Sequence, residues 1–206
     1  MAKAGAKSRR RRRAVKVKIL CFAGSTRERS LNKKLALVAA GLAAQDNVEV
    51  TFLDLKDLPM PFYDQDLEDA QGIPENACKF RELLKQHDAF LIASPEYNGS
   101  YSAVLKNAID WASRQAEGEK SLACFDGKVA ALLAGSPGGK GGVRGLSPLR
   151  LLLSDLRVLV IPQQLALANA DSAFNEDGAL ADEKQIAAVR SITEQLVAVT
   201  RALLCG

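Results

Sequence analysis

The chain has a single histidine, His87, among its 206 residues. That scarcity excludes a histidine-rich zinc site and leaves any Ser-His-Asp triad with one candidate base. His87 falls in Lys85-Gln86-His87-Asp88, between a helical pattern and a strand, where a surface or turn role is the plain reading. No C-x-x-C occurs. Cys21, Cys78, Cys124 and Cys205 stand far apart and read as ordinary thiols of a reducing compartment, so a cytoplasmic location is expected. No apolar run approaches the ~18 residues of a membrane span, because Lys16 and Lys18 interrupt the best early candidate. No long apolar stretch follows the early arginines as a secretory signal requires; the Arg-rich, acid-free composition is compatible with a transit peptide, though serine is scarce. With 48% hydrophobic and 25% charged residues the composition is that of a globular domain, not of a disordered, collagen-like or disulfide-scaffold chain.

Acids are missing from residues 1–18, which carry nine cations including the run Arg9–Arg13. The remainder has 19 cations against 24 acids, so a basic segment precedes a mildly acidic body. Residues 1–14 have little apolar surface to bury and repel themselves. They are expected to form a disordered tail, with 15–206 as one domain. Such a tail is most simply a solvated extension; nucleic-acid or anionic-membrane contact is the other reading.

The body alternates strand and helix. Strand patterns cover Val15–Phe22, Val48–Leu53, Ala89–Ser94, Lys128–Ala134 and Arg157–Ile161. Helical patterns lie between them. The first carries Leu31, Leu35, Val38 and Leu42; others span Glu75–Gln86, Ser102–Arg114 and a leucine stripe from Leu146 to Leu156. A last helix runs from about Asp182 to Leu204. Residues 54–74, with Pro59, Pro61, Gly72 and Pro74, make a connection long enough to suggest function or an interface. This order predicts an α/β fold: a doubly wound five-stranded parallel sheet, order 2-1-3-4-5, with helices on both faces. Ligands then belong beyond the carboxyl ends of the first, third and fourth strands.

Those three places carry the unusual residues. Gly24-Ser25-Thr26-Arg27-Glu28-Arg29-Ser30-Leu31-Asn32 offers hydroxyls, cations and a helix start suited to a phosphate. Ser94-Pro95-Glu96-Tyr97-Asn98-Gly99-Ser100 is a rigid turn whose amides and Asn98 can meet a planar polar ring. Ser136-Pro137-Gly138-Gly139-Lys140-Gly141-Gly142-Val143-Arg144 brings backbone within reach of a ligand. G-x-G-x-x-G fails at Arg144, Walker A fails at Lys140-Gly141, and no G-x-S-x-G elbow exists. No catalytic side chain and no metal site emerge, so the chemistry is expected from something bound.

Gly24-Ser25-Thr26-Arg27, Ser30-Leu31-Asn32, Pro95-Glu96-Tyr97-Asn98 and Leu105-Lys106-Asn107-Ala108-Ile109-Asp110-Trp111 together resemble the NADPH-dependent FMN reductases, in their bacterial quinone and chromate reductase branch. The resemblance runs from about Val15 to the end. It implies a flavodoxin-like fold that binds FMN, with NADPH or NADH as co-substrate. It further implies that Ser25, Arg27, Ser30, Leu31 and Asn32 take the phosphate. Pro95, Glu96, Tyr97, Asn98 and Gly99 would border the isoalloxazine, and Ser136, Gly138 and Gly139 would complete the pocket. Arg144 would stand at the nicotinamide entrance or a tetramer contact. The acceptor would be a quinone, chromate, azo dye, ferric complex or free flavin, and the assembly a homodimer or homotetramer. One departure is Ser102-Ala103 where the family often has Pro-Gly; Ser102 is expected to cap the helix instead. A flavodoxin-like electron carrier is the alternative, disfavoured because aromatics make up only 5% of the chain.

Overall fold

A computed structural model describes residues 15–206; the basic segment 1–14 lies outside the described residues. The elements are β1 (Val17–Ala23), α1 (Leu31–Ala43), β2 (Val48–Leu53), α2 (Gln65–Gln71), α3 (Glu75–Gln86), β3 (Ala89–Ala93), α4 (Ala103–Ser113), β4 (Val129–Gly135), α5 (Val143–Asp155), β5 (Leu159–Leu167) and α6 (Glu183–Cys205). All strand pairs are parallel, in the order β2-β1-β3-β4-β5.

Alternation along the central strands decides what each face receives. Ile19 and Cys21 of β1, Leu91 of β3 and Leu133 of β4 turn to α1 and α6. Leu20, Phe22, Phe90, Ile92 and Leu132 turn to α3, α4 and α5. Both faces are covered, which is why the strands read as nearly continuous apolar runs. On the α1 side the contact is made by small residues. Ala36, Ala39 and Ala43 are fully buried, while Leu31, Val38 and Leu42 of the expected stripe are only partly so. The alanines let α1 lie close to Ala89, Ala93 and Ala131, and the larger side chains fill the flanks. The opposite face is bulkier, with Phe22 edge-on to Phe80 at 5.6 Å.

Four features depart from the sequence reading. The 54–74 connection contains α2 and a short 3-10 turn, Leu55–Asp57; Asp64 caps α2, accepting from the amides of Asp66 and Leu67. The fifth strand does not stop at Ile161. The pairs Ala130–Val160 and Leu132–Gln164 show that β5 swallows two extra residues around Pro162 and then resumes. Proline lacks the ladder donor, and an edge strand tolerates it at such a bulge. Arg150 covers the exposed carbonyls, donating to Val160 O at 3.1 Å and Ile161 O at 2.8 Å. The α5 helix begins three residues before Leu146. Finally, His87 is buried, its Nδ1 2.6 Å from Leu83 O and its Nε2 2.8 Å from Thr51 Oγ1. A carbonyl can only accept, so Nδ1 carries a proton, while the threonine hydroxyl can serve Nε2 as donor or acceptor.

Candidate functional site

Three loops meet at the carboxyl edge of the sheet around a cleft of about 130 Å³. Its walls are Ser25, Arg27, Ser30, Leu31 and Asn32 after β1, Pro95, Glu96 and Tyr97 after β3, and Gly135, Ser136 and Pro137 after β4. Gly135 and Pro137 are additions to the expected residues. Asn98, Gly99, Gly138, Gly139 and Arg144 stand outside the cleft wall.

The β1 loop is a donor-rich cradle. Ser30 caps α1, its Oγ accepting from Lys33 N at 3.3 Å, and Ser25 Oγ accepts from Arg27 N at 3.4 Å. Each hydroxyl therefore keeps its own proton to donate. The amides of Leu31 and Asn32, in the first turn of α1, have no partner within the helix. Glu28 is drawn away by Lys56 at 2.7 Å, whose hydrogen bond and charge hold the carboxyl below its usual range. Lys33, nearly buried, is taken by Asp54 at 2.6 Å. Among the described residues Arg27 and Arg29 have no such carboxylate. The result is a helix N-terminus with free donors and uncompensated positive charge, which is what an anionic phosphate requires.

The side chain of Asn32 is committed within the chain. Its side-chain amide donates to Gly135 O and accepts from Gly135 N, both at 2.9 Å. That bidentate pair joins the start of α1 to the end of β4, so only the backbone N–H of Asn32 is left to meet a ligand. Ser136 Oγ accepts from Gly138 N at 3.2 Å, which shapes the loop that follows.

The β3 loop is a tight two-residue turn. Tyr97 N bonds Ser100 O at 2.9 Å and Ser100 N bonds Tyr97 O at 3.1 Å. Asn98 and Gly99 occupy its centre at φ +52° and +81°. A turn with two positive φ values selects Asn-Gly, so backbone conformation accounts for both residues. Tyr97 is left half exposed beside the cleft. Ser102 caps α4 as expected, accepting from Leu105 N at 3.2 Å while donating to Gly24 O at 2.6 Å.

The Glu96 carboxylate is committed to the start of α5. Its Oε1 takes Arg144 Nε at 2.7 Å, and its Oε2 takes the amides of Arg144 at 3.0 Å and Gly145 at 3.3 Å. Desolvation pushes the carboxyl up, but the Arg144 guanidinium and these two amides outweigh it and hold it below the usual range. Arg144, expected at a nicotinamide entrance or tetramer contact, pairs with Glu96 within the chain and keeps a largely exposed side chain. In the β4 loop the close backbone approach is internal. At Gly141, φ +62°, a Cβ would lie 2.6 Å from the Ala166 carbonyl, which no side chain could survive.

Beyond Thr26 lies a larger groove of about 350 Å³, lined by Leu55, Lys56, Leu58, Pro59, Met60, Val104, Asn107 and Ala108. It is apolar and lacks the phosphate donors, so the smaller cleft is the better anion site. Sequence reasoning flagged the 54–74 segment without seeing what holds it. Asn107 donates to Pro61 O and accepts from Tyr63 N, both at 2.8 Å, and Trp111 Nε1 donates to Pro61 O at 2.8 Å. Phe62, between those anchors, is 79% exposed. No thiol takes part: burial pushes Cys21 up, and its Sγ faces Ala36 O.

The sequence profile of the NADPH-dependent FMN reductases matches residues 17–172. An NAD(P)H-dependent FMN reductase of Pseudomonas aeruginosa is 38% identical over 170 residues, covering 82% of this chain and 86% of its own. An NAD(P)H:quinone oxidoreductase of Solanum tuberosum is 35% identical over 193 residues, covering 91% and 94%. Among solved structures, FerB of Paracoccus denitrificans, a flavoenzyme NAD(P)H:(acceptor) oxidoreductase, superposes with a TM-score of 0.75. It is 28% identical, with 90% of this chain and 98% of FerB covered.

Proposed function

The chain belongs to the NADPH-dependent FMN reductase family, and we propose that its carboxyl-edge cleft is the FMN phosphate site of an NAD(P)H:quinone reductase. The protein is an enzyme, an NAD(P)H-dependent oxidoreductase with FMN as cofactor. The observation that carries the site is the donor set after β1: free amides at the start of α1, two hydroxyls with protons to give, and Arg27 and Arg29 without acidic partners. The donors fit a dianionic phosphate.

Bound FMN supplies two-electron chemistry between a nicotinamide and an acceptor, which explains why no side-chain nucleophile is needed. The chain's own residues bind and orient. Leu31 and Asn32 would present amides to the phosphate, Ser25 and Ser30 hydroxyls, and Arg27 charge. Ser136 would close the side opposite Pro95 and Tyr97. The enclosed volume is small beside the roughly 300–1,000 Å³ of typical ligand pockets. It suits a phosphate and its attached chain, leaving a ring to the open side near Tyr97. An open ring site would admit nicotinamide and acceptor in turn, giving ping-pong kinetics and a permissive choice of acceptor. Quinones head that choice, with chromate, azo dyes, ferric complexes and free flavin as further candidates.

A homodimer or homotetramer is the favoured assembly. Its support is Phe62, held outward between two anchored neighbours beside the apolar groove. Four free cysteines, two of them exposed, are in keeping with a cytoplasmic setting. Among the described residues no helix is long and apolar enough to cross a membrane.

The deciding experiment is an absorption spectrum of the purified protein, then anaerobic addition of NADPH and afterwards a quinone. A flavin spectrum that bleaches with NADPH and returns with the quinone is expected. A colourless protein that neither takes up FMN nor oxidises NADPH would overturn the reading.

A further inference from the structure

We propose that Glu96 is a positioning residue that binds the loops after β3 and β4 into one unit by serving as the N-cap of α5. The inference rests on the FMN reading above and adds a role to it. A helix start needs acceptors for its first amides, ordinarily from the residue just before it. For α5 that residue is Gly142, in the left-handed region at φ +86°, with no side chain to offer. The acceptor for the Arg144 amide comes from 48 residues earlier in the chain, Glu96 Oε2 at 3.0 Å, and the same oxygen shares the Gly145 amide, at 3.3 Å, with the Gly142 carbonyl at 3.2 Å.

The geometry shows why this cap belongs to the site. Glu96 lies between Pro95 and Tyr97 on one wall of the cleft, while α5 follows directly from the loop that forms the other wall at Ser136. The two loops are in close contact, since a Cβ on Gly145 would sit 3.1 Å from Ser100 O. Two kinds of bond hold Glu96. The amide bonds fix position through backbone atoms that cannot swing away, and the Glu96 side chain that accepts them is 8% exposed; the Arg144 guanidinium, on a side chain 61% exposed, chiefly balances charge. Exposed partners contribute little where solvent screens them, so the amide contacts should dominate. A cap that spans both walls transmits its loss to whatever the walls grip.

The test is FMN release from the holoenzyme, followed by recovery of flavin fluorescence on dilution, with visible circular dichroism of the bound flavin alongside. Glu96→Ala should release FMN at least about tenfold faster, as expected for loss of a charge-assisted bond, and should alter the dichroism. Glu96→Gln, which keeps one carbonyl acceptor, should release it only about two- to fivefold faster. Arg144→Ala, which keeps both amide bonds, should stay within about twofold of wild type. A role in stability alone would lower the unfolding midpoint while leaving the dichroism and the release rate unchanged, and would overturn the proposal. So would an Arg144→Ala protein as leaky as Glu96→Ala, since the ion pair and not the cap would then be the tie. If Glu96→Ala does not fold, Glu96→Gln decides: release at the wild-type rate overturns the inference. A wild-type protein that holds no FMN would overturn the functional reading and this inference together. Wild-type binding with unchanged variants overturns the inference alone.

Discussion

The two edges of the sheet hold buried polar groups to opposite ends. At the amino edge most such groups have their partners within the chain; Arg201 Nε, near the end of α6, is an exception. Arg81 donates to the carbonyls of Ala112 and Arg114 and pairs with Glu119; Lys128 donates to Lys85 O and His87 O; His87 is bonded at both nitrogens. At the carboxyl edge some groups are tied in the same way, Asn32 to Gly135 and Glu96 to α5. Those ties frame others that remain free: two α1 amides, the protons of Ser25 and Ser30, and the guanidinium groups of Arg27 and Arg29. Desolvated polar groups destabilise unless bonded, so a fold leaves donors free only where a ligand or water completes them. The free donors at the carboxyl edge, more than the presence of polar residues, distinguish the proposed site.

That comparison can be broken at either edge. The largest stability effect is expected at the amino edge. Arg81→Ala orphans two carbonyls and half of the Glu119 pairing, costing about 3 kcal/mol. Calorimetry should show a fall in Tm of roughly 6–12 °C for a domain of this size. FMN affinity, measured by titration well below that Tm, should stay near wild type. Asn32→Ala should do both things at once. Losing the bidentate pair to Gly135 costs about 2 kcal/mol of stability and lets α1 and β4 separate at the cleft, so FMN affinity falls too. Equal affinity in that variant would show that the pair is not part of the cradle.

Arg27→Ala is the mirror image of Arg81→Ala. Removing an exposed, unpaired cation should leave Tm within about 1 °C. The FMN dissociation constant should rise about tenfold, with a weaker dependence on salt. The smallest effect is expected from deleting residues 1–14. Reductase activity and FMN affinity should be unchanged, because the site lies at the sheet edge opposite the start of β1. DNA binding that is lost with the tail and weakened by salt would show a second role for the basic segment.

Legibility in the sequence followed how local each cause is. Val48–Leu53 and Glu75–Gln86 were readable to the residue because apolar periodicity and flanking turn signals act over a few positions. Strand order followed from the alternation of five strands with helices, which suits the shorter doubly wound sheet. The short α2 was hidden inside a proline-rich stretch, although Asp64 and Gly72 mark its two ends. Pro162 concealed the second half of β5, since only the Arg150 guanidinium and an edge position make that bulge tolerable. His87 looked exposed because its partners Leu83 and Thr51 come from two different elements.

For the candidate site, the sequence by itself determined which three loops meet at the cleft and that one of them carries residues suited to a phosphate. A glycine, short hydroxyls, arginines and a helix start announce that chemistry within nine residues, Gly24–Asn32. The same is true of the Asn98-Gly99 turn, whose residue types follow from positive φ values. Tertiary structure alone decided which of those groups are free to act. Asn32 is bound to a glycine 103 residues away, and Glu96 caps a helix 48 residues later. Lys56 removes the one acid of the phosphate loop from 28 residues away. A side chain's type states what it can bond, and only the fold brings up the partner that has already bonded it.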